Sequence, residues 1–161
     1  MPPVVDVIGE LRIRAARRED LPELAAIFAA DRVGGHGDTN DPALQPAYEA
    51  AFERIAANPC DALYVAEFVG EVVGTFQTTL VTSLTGRGSS NLTIEAVQTR
   101  ADMRGKGIGA EMIRYAIEQG RAAGVRMVQL MSNNNRRDAH RFYTRLGFRQ
   151  SHAGFKMKLR E

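Results

Sequence analysis

The order of patterns between residues 92 and 131 constrains the fold more than any other feature of this chain. Apolar residues alternate over 92–96, as they do in a strand, and a basic, glycine-rich stretch follows at 104–110. Apolar residues then recur at helical spacing until Gly124, and a short apolar run occupies 125–131. The segment therefore predicts a β-α-β unit, with a glycine-rich turn between the first strand and the helix.

Further strands and helices are predicted around this unit. Before the unit, a strand is predicted at 11–15, followed by a helix that opens with the capping-box-like Asp20-Leu21-Pro22-Glu23 and has an apolar stripe of Leu24, Ile27 and Phe28. A second helix is predicted from the spacing of Tyr48, Phe52 and Ile55. A hairpin is then predicted over 62–80, with its turn at Gly70-Glu71. The predictions after it are a helix carrying Ala139, Phe142, Tyr143 and Leu146, and a final strand carrying Phe155, Met157 and Leu159. Together they indicate a mixed sheet with helices packed on it.

Composition bounds the class of protein. The 161 residues are 44% hydrophobic and 25% charged, near the globular average, so we expect one domain over 1–161, with 1–10 as an N-terminal extension. The formal net charge of +2 is too small for the total alone to indicate a nucleic-acid or membrane partner. Cys60 is the single cysteine and no signal-peptide or membrane-span pattern is present, so a reducing, cytoplasmic compartment is expected.

The turn at 104–110 has the chemistry of an anion site. Glycines remove the Cβ atoms that would hold the backbone away from a ligand, and a helix N-terminus offers unpaired N–H groups with about half a positive charge. Arg104 and Lys106 add mobile cationic charge. A diphosphate is the natural guest of such a turn, and a glycine-rich connection with ordinary surface cations is the alternative.

Two common nucleotide-binding motifs fit this turn poorly. A dinucleotide-binding unit would place its first glycine almost directly after the strand and a carboxylate about 20 residues later. Here residues 100–103 intervene, and Ser132-Asn133-Asn134 closes the next strand. A phosphate-loop NTPase would need glycine where Arg100 stands and Ser or Thr where Gly107 stands.

Three pieces of the sequence match one family in order and spacing. Arg104, Gly107 and Gly109 fit a turn of Gln or Arg, two residues, Gly, one residue, and Gly or Ala. With Ile94-Glu95-Ala96-Val97-Gln98-Thr99 and residues 139–148, this turn resembles the GNAT superfamily of acetyl-CoA-dependent N-acetyltransferases, in its fourth strand, turn and last helix. The resemblance implies an α/β (α+β) fold with a mixed, mostly antiparallel central sheet of six to seven strands, flanked by about four helices and splayed into a cofactor cleft.

The resemblance also implies that acetyl-CoA is the co-substrate. Backbone groups of Val97 and Thr99 would bind the pantetheine as an added strand would. Many relatives carry asparagine where Arg136 stands, so Asn135 is the candidate for that contact; Asn133 and Asn134 stay open, and an N-cap made by Asn135 with Asp138 is the alternative. The expected cofactor contacts are Val97, Gln98, Thr99, Arg104, Gly105, Lys106, Gly107, Ile108, Gly109, Ala110, Asn135, Ala139 and Phe142.

Two catalytic residues follow from the same resemblance. Glu95 would face the cleft as the general base, directly or through water, whereas a rim carboxylate or an ion-pair partner is the alternative. Tyr143 would be the general acid, because a thiol pKa of about 8.5 is close enough to a phenol pKa of about 10 for the phenol to return a proton. A core tyrosine is the alternative for that residue.

The acceptor is left open by the sequence. Asp31, His36, Asp38 and Asp41 lie between the first two helices, which border the acceptor pocket in this family, and could attract a cationic amine; we expect no metal there. The favoured function is acetyl transfer to the primary amine of a small molecule. A non-catalytic acyl-CoA-binding regulatory domain and a peptide or protein N-terminal acetyltransferase are the alternatives. We expect no nucleic-acid or membrane partner, and a homodimer stays open.

Overall fold

The structure, a computed structural model, describes residues 6–33 and 36–160. The chain forms two compact units that divide between Leu130 and Met131. The first unit holds a sheet with its helices, and the second holds the last helix. The expectation of a single domain over the whole chain stays a prediction.

Five strands form the sheet of the first unit, and they lie side by side in chain order. They are β1 (Arg12–Ala15), β2 (Asp61–Phe68), β3 (Glu71–Thr82), β4 (Ser90–Thr99) and β5 (Met127–Leu130). Neighbours from β1 to β4 are antiparallel, whereas β5 runs parallel to β4. The sheet is therefore mixed and mostly antiparallel, as expected, and the predicted hairpin and β-α-β unit are confirmed.

Helices pack on both faces of this sheet. In the first unit they are α1 (Val7–Glu10), α2 (Leu21–Ala29), α3 (Gln45–Ala57), the single turn α4 (Thr85–Gly88) and α5 (Ile108–Ala122). Leu63 of β2 packs in a cluster with Leu24 of α2 and Phe52 of α3. Tyr64 points the other way, and its ring centroid lies 5.3 Å from that of Tyr115 on α5. None of the helices in the described ranges combines the length and the apolar character of a membrane span.

An ion pair, rather than the predicted capping box, holds the start of α2. Asp20 stands at the N-cap, but its side chain makes no cap hydrogen bond to this helix. Its carboxylate accepts two bonds from the Arg14 guanidinium, at 2.8 and 2.9 Å, and one from the Arg17 N–H at 2.7 Å. Arg14 also donates to Glu67 at 2.9 Å. The guanidinium offers this carboxylate an opposite charge and two parallel hydrogen bonds, so the carboxylate turns toward Arg14 and ties β1 and β2 to α2.

The sheet has fewer strands than the six to seven expected. Residues 149–160 contain no strand, although Phe155, Met157 and Leu159 alternate as predicted; these side chains are 93%, 84% and 87% exposed. Alternating apolar residues indicate only that one side of an extended segment is apolar. A β-strand also needs a neighbouring strand whose N–H and C=O groups complete its hydrogen-bond ladder. The prediction of a final strand is therefore wrong. The predicted last helix is confirmed as α6 (Arg137–Arg145) in the second unit.

Candidate active site

A β-bulge at Ala96 interrupts β4. Gln77 of β3 lies opposite Glu95, but the next pair joins Thr75 to Gln98, so β4 carries one extra residue. Ala96 has a φ of +53°, in the left-handed region that residues with a Cβ rarely adopt. Strain of this kind persists where the surrounding structure fixes it, often beside functional sites. The bulge therefore bends β4 out of a regular ladder where the catalytic carboxylate was predicted.

The last part of β4 keeps a free edge within the first unit. β5 accompanies β4 only where residues 127–130 pair with 91–94. Over 95–99, β4 pairs with β3 on one side, and no strand of the first unit pairs with its other side. An extended ligand can bind the N–H and C=O groups of such an edge as an added strand does.

The glycine-rich turn presents a continuous row of unpaired N–H groups. α5 begins at Ile108, and Glu111 donates the first backbone bond of the helix, to the Gly107 carbonyl. Among the described residues, no acceptor takes a hydrogen bond from the N–H groups of 105–110. Because these groups surround a helix N-terminus, they carry partial positive charge and can bind an anion.

Two glycines keep this row accessible. Gly105 and Gly107 have φ values of +76° and +85°, a conformation that strains residues with a Cβ. A Cβ at Gly105 would meet nothing within 4 Å, so the space beside that residue is open. A Cβ at Gly107 would lie 3.3 Å from Cδ1 of Ile8, on α1. The turn thus has room for a bulky anion at Gly105 and an apolar wall at Gly107.

Two unpaired cations flank the glycines. Arg104 and Lys106 are exposed, and neither forms an ion pair with a described residue, although Arg104 Nε donates to the Thr99 carbonyl at 3.4 Å. Arg100, by contrast, is held by Asp102 at 2.6 Å and by Glu71 at 3.3 Å. The positive charge that is available to a ligand is therefore concentrated at the turn.

An open groove of about 320 Å³ runs beside this turn. Ile27 of α2 and Ala30, the residue just after that helix, line the groove together with residues 99–102 and Arg104. The groove therefore offers apolar space next to both the end of β4 and an unpaired cation.

Glu95 lies on the sheet face that carries α2 and α3. Gln77 and Thr93 share this face, because residues opposite each other or two apart in a sheet point the same way. Gln98, beyond the bulge, also points there, since its Nε2 donates to Oδ2 of Asp31, just after α2, at 2.8 Å. The Glu95 side chain is exposed and makes no hydrogen bond or ion pair with a described residue. The ion-pair alternative for Glu95 is therefore not found within the described ranges.

The acidic loop after α2 is anchored to its surroundings at several points. Tyr48 of α3 donates to Asp38 at 3.0 Å, and the carboxylate of Asp41 accepts from the Ala43 N–H at 3.0 Å. Asp31 is the member of the acidic set that the structure connects to β4, through Gln98. His36 is exposed. The loop thus contacts the sheet face that carries Glu95 through the hydrogen bond between Asp31 and Gln98.

Tyr143 lies on α6 in the second unit, within a small aromatic cluster. Its ring centroid is 5.1 Å from that of Phe142 and 5.9 Å from that of Phe148, both in edge-on geometry. Burial raises the pKa of Tyr143 above the usual phenol value, and the charge of Arg136 opposes the shift. The phenol is therefore protonated at neutral pH, which is the state that a proton donor needs.

Asn135 precedes α6 and does not cap it. Arg136 is the N-cap residue, without a side-chain cap bond, and Asp138 pairs with Arg141. The alternative of a cap made by Asn135 and Asp138 is therefore wrong. Asn133 orders this turn instead, because its side chain accepts from the Asn135 N–H at 2.9 Å. The contact of Asn135 with pantetheine stays a prediction.

The predicted site residues fall into both units. The first unit brings together those of β4 and the turn: Glu95, Val97, Gln98, Thr99, Arg104, Gly105, Lys106, Gly107, Ile108, Gly109 and Ala110. The second holds Asn135, Ala139, Phe142 and Tyr143. Sequence reasoning missed Gln77, Ala96 and Ile8. Gln77 stands beside Thr78 and Thr79, so no contrast with its neighbours marks it, and nothing local marks an alanine for positive φ or a distant isoleucine for contact with Gly107.

Comparison with known proteins agrees with this geometry. The family model described as "Acetyltransferase (GNAT) family" matches residues 21–148. Aminoalkylphosphonate N-acetyltransferase of Salmonella typhimurium is 49% identical over 53 residues, which are 33% of this chain and 34% of that protein. The match thus spans about a third of the length of this curated relative.

Two solved structures are similar over nearly their whole length. The crystal structure of a transcriptional regulator from Bacillus halodurans C-125 superposes with a TM-score of 0.89 at 37% identity, covering 92% of this chain and 99% of that one. A protein assigned as an acetyltransferase from Agrobacterium tumefaciens superposes with a TM-score of 0.77 at 31% identity, covering 91% and 99%. Together with the bulged β4 and the glycine-rich turn, these matches show that the chain belongs to the GNAT acetyltransferase family.

Proposed function

We propose that this protein is an N-acetyltransferase that moves the acetyl group of acetyl-CoA to the primary amine of a small molecule, by direct attack on the thioester. The row of unpaired N–H groups at 105–110, at the end of the bulged β4, carries this proposal. It suits the diphosphate of coenzyme A, because the space beside Gly105 is open and Arg104 and Lys106 are unpaired.

The residues of the chain would divide the chemistry between them. Bound acetyl-CoA supplies an activated thioester. The free edge of β4 would hold the pantetheine through Val97 and Thr99, and a nearby backbone N–H group would donate to the thioester oxygen. Glu95 takes the proton from the acceptor amine, directly or through water, and Tyr143 donates one to the leaving sulfur. Each role is a proposal that rests on the family resemblance.

A regulatory domain that binds acyl-CoA without catalysis is the second candidate. The similarity to the transcriptional regulator from Bacillus halodurans, at 37% identity, favours it. Such a sensor needs the glycine-rich turn, but it needs neither a general base nor a general acid. The presence of both Glu95 and Tyr143 supports the enzyme.

The acceptor class is proposed more broadly than the reaction. The partial match to an aminoalkylphosphonate N-acetyltransferase supports a small primary amine and makes aminoalkylphosphonates one class to test. A peptide N-terminus is another.

We further propose a cytoplasmic location. The free thiol of Cys60 suits this location, because disulfides form mainly in oxidising compartments.

A screen for thiol release from acetyl-CoA tests the proposal. The acceptors are amino acids, polyamines, amino sugars, aminoglycosides, aminoalkylphosphonates and short peptides, and calorimetry measures the affinity for coenzyme A in parallel. The enzyme predicts release with at least one small amine. Tight binding of coenzyme A without release for any acceptor contradicts the enzyme and favours the regulatory domain.

Gly107→Val tests the turn itself. A valine there meets both the positive φ and Ile8, so we expect the affinity for coenzyme A to fall at least about tenfold. Gly124→Val is the matched control, because Gly124 also has a positive φ, of +69°, but lies after α5 and away from the turn. An equal loss of affinity in both variants would show a general loss of structure rather than a site.

A further inference from the structure

The side chain of Gln98 points to the same face of the sheet as Glu95, although the two residues are three apart in the sequence. In a regular strand, residues three apart point to opposite faces. The bulge at Ala96 adds one residue to β4, so the positions opposite Glu95 and Gln98 on β3 are only two residues apart, at 77 and 75. The bulge therefore turns the Gln98 side chain toward α2.

This orientation brings the Gln98 amide to Asp31, two residues after the end of α2. Its Nε2 donates to Oδ2 of Asp31 at 2.8 Å in a part-buried bond that joins residues 67 positions apart in the sequence. The other carboxylate oxygen of Asp31 accepts from the Val33 N–H at 3.2 Å. The Asp31 N–H donates to the Phe28 carbonyl at 3.0 Å. Asp31 therefore connects β4 both to the last turn of α2 and to the backbone that follows it.

The bond between Gln98 and Asp31 lies beside the open groove that runs next to the glycine-rich turn. Ala30 and Thr99 both line this groove, and they are the chain neighbours of Asp31 and Gln98. The bond thus ties the end of α2 to the end of β4 at the place where these two elements form the groove. A hydrogen bond with an ionised acceptor is about twice as strong as one between neutral groups, so this tie suits a positioning role.

We infer that Gln98 and Asp31 are positioning residues, which hold the end of α2 in place beside the strand that carries Glu95. This inference rests on the proposed acetyltransferase function, and it takes the sheet face with Glu95 as the acceptor side. It assigns the Gln98 side chain to Asp31 rather than to the cofactor contact expected from the family resemblance. Loss of the bond should therefore weaken the use of the amine and leave the binding of coenzyme A in place.

An isosteric exchange of the two side chains tests this inference. In Gln98→Glu two carboxylates face each other, so the bond is lost and the two groups repel. Adding Asp31→Asn to that variant restores the bond with its donor and acceptor exchanged, and it also restores the native net charge. Asp31→Asn alone should have a small effect, because an amide oxygen at that position still accepts from Gln98. Gln119→Glu, on the exposed side of α5, is the matched control for the added charge.

Native-state proteolysis measures the tie without turnover. Arg32 follows Asp31 and is exposed, so tryptic cleavage after Arg32 reports the opening of the chain at this end of α2. We expect this cleavage to be at least about tenfold faster in Gln98→Glu, as the loss of one charge-assisted hydrogen bond predicts. In the double variant it should return to within about twofold of the native rate. Cleavage after Arg87, in α4, is the internal control and should not change.

Steady-state kinetics separates a positioning role from a merely structural one. Putrescine, glucosamine and aminoethylphosphonate are the amine probes, and each one that releases thiol from acetyl-CoA is titrated. In Gln98→Glu we expect KM for the amine to rise about tenfold and kcat to change less than about threefold, since Glu95 itself is untouched. The calorimetric affinity for coenzyme A should stay within about twofold. The double variant should recover the native KM, and Gln119→Glu should keep it.

Three results would overturn the inference. Weaker binding of coenzyme A in Gln98→Glu, with unchanged cleavage after Arg32, would return Gln98 to the cofactor. Failure of the double variant to recover the native cleavage rate or the native KM would show that the bond with Asp31 is not the cause. Both of these results leave the proposed acetyltransferase in place. Absence of thiol release with every amine would overturn the proposed function and the positioning role together.

Discussion

Ala96 is a residue without polar chemistry that shapes the site through its backbone. A left-handed conformation costs about 1–2 kcal/mol for a residue with a Cβ, yet the bulge in β4 keeps Ala96 at a φ of +53°. The same bulge shifts the pairing of β4 with β3 between Glu95 and Gln98. The strain is thus located between the proposed base and the free edge that the cofactor is proposed to bind.

Replacing Ala96 by glycine should relieve this strain. We expect Ala96→Gly to raise the free energy of unfolding by about 0.5–1 kcal/mol, because glycine adopts positive φ at little cost even after its greater freedom in the unfolded chain is counted. Urea unfolding curves measure the change. Ala62→Gly, in β2 at an ordinary φ, is the control and should be destabilising. A loss of stability in Ala96→Gly equal to that of the control would show that the bulge stores no strain.

Tyr143 carries the prediction about proton transfer. In Tyr143→Phe we expect kcat to fall by about a hundredfold or more, since a positioned general acid contributes that much, while the affinity for coenzyme A stays within about twofold. Steady-state kinetics and calorimetry separate the two effects. Tyr115→Phe, which removes a phenol from the middle of α5, is the control and should keep its kcat. Full activity of Tyr143→Phe across pH would refute the role as general acid.

At the scale of elements, the ion pair of Asp20 and Arg14 joins α2 to the sheet. The hydrogen bonds from Arg14 hold the pKa of Asp20 below its ordinary value, against the opposing effect of burial. A carboxylate whose pKa is lower in the folded chain stabilises the fold above the unfolded pKa of about 4, and this contribution is lost as the pH falls through the lowered value. The junction of α2 with β1 and β2 is therefore acid-sensitive.

Asp20→Asn should remove this acid-sensitive contribution. We expect the free energy of unfolding at neutral pH to fall by about 2–3 kcal/mol, because Arg14 loses its main partner in a largely buried place. The gap between the native protein and the variant should narrow as the pH falls from about 4, the unfolded pKa, through the lowered pKa of folded Asp20. Chemical unfolding at several pH values measures both. A gap of constant size from neutral to acid pH would contradict the ion pair as its source.

The elements that could be predicted from sequence are those that depend on local order. The hairpin at Gly70, the β4-α5-β5 unit and the glycine-rich turn follow from periodicity and from glycine. The bulge at Ala96 and the bonds of Arg14 to Asp20 and Glu67 could not be predicted, because they depend on the register of distant strands. The last strand was predicted wrongly for the same reason. The alternating apolar residues at 155–159 indicate one apolar side, but they do not indicate which strand would pair with this segment.

On the scale of the whole molecule, the sheet of the first unit separates two proposed tasks. Its face with α2 and α3 carries Glu95 and, through Gln98, contacts Asp31 of the acidic loop, and is proposed for the acceptor. The end of β4 and the turn at 105–110 are proposed for the cofactor. The family membership is shown over most of the chain, whereas the acceptor depends on side chains that vary freely around a common fold.

A crystal structure of the protein with bound coenzyme A tests the central claim most directly. The account predicts that the diphosphate oxygens accept hydrogen bonds from the N–H groups of 105–110, with the pantetheine along the free edge of β4. A diphosphate bound elsewhere, with those N–H groups facing solvent or another part of the chain, would contradict it.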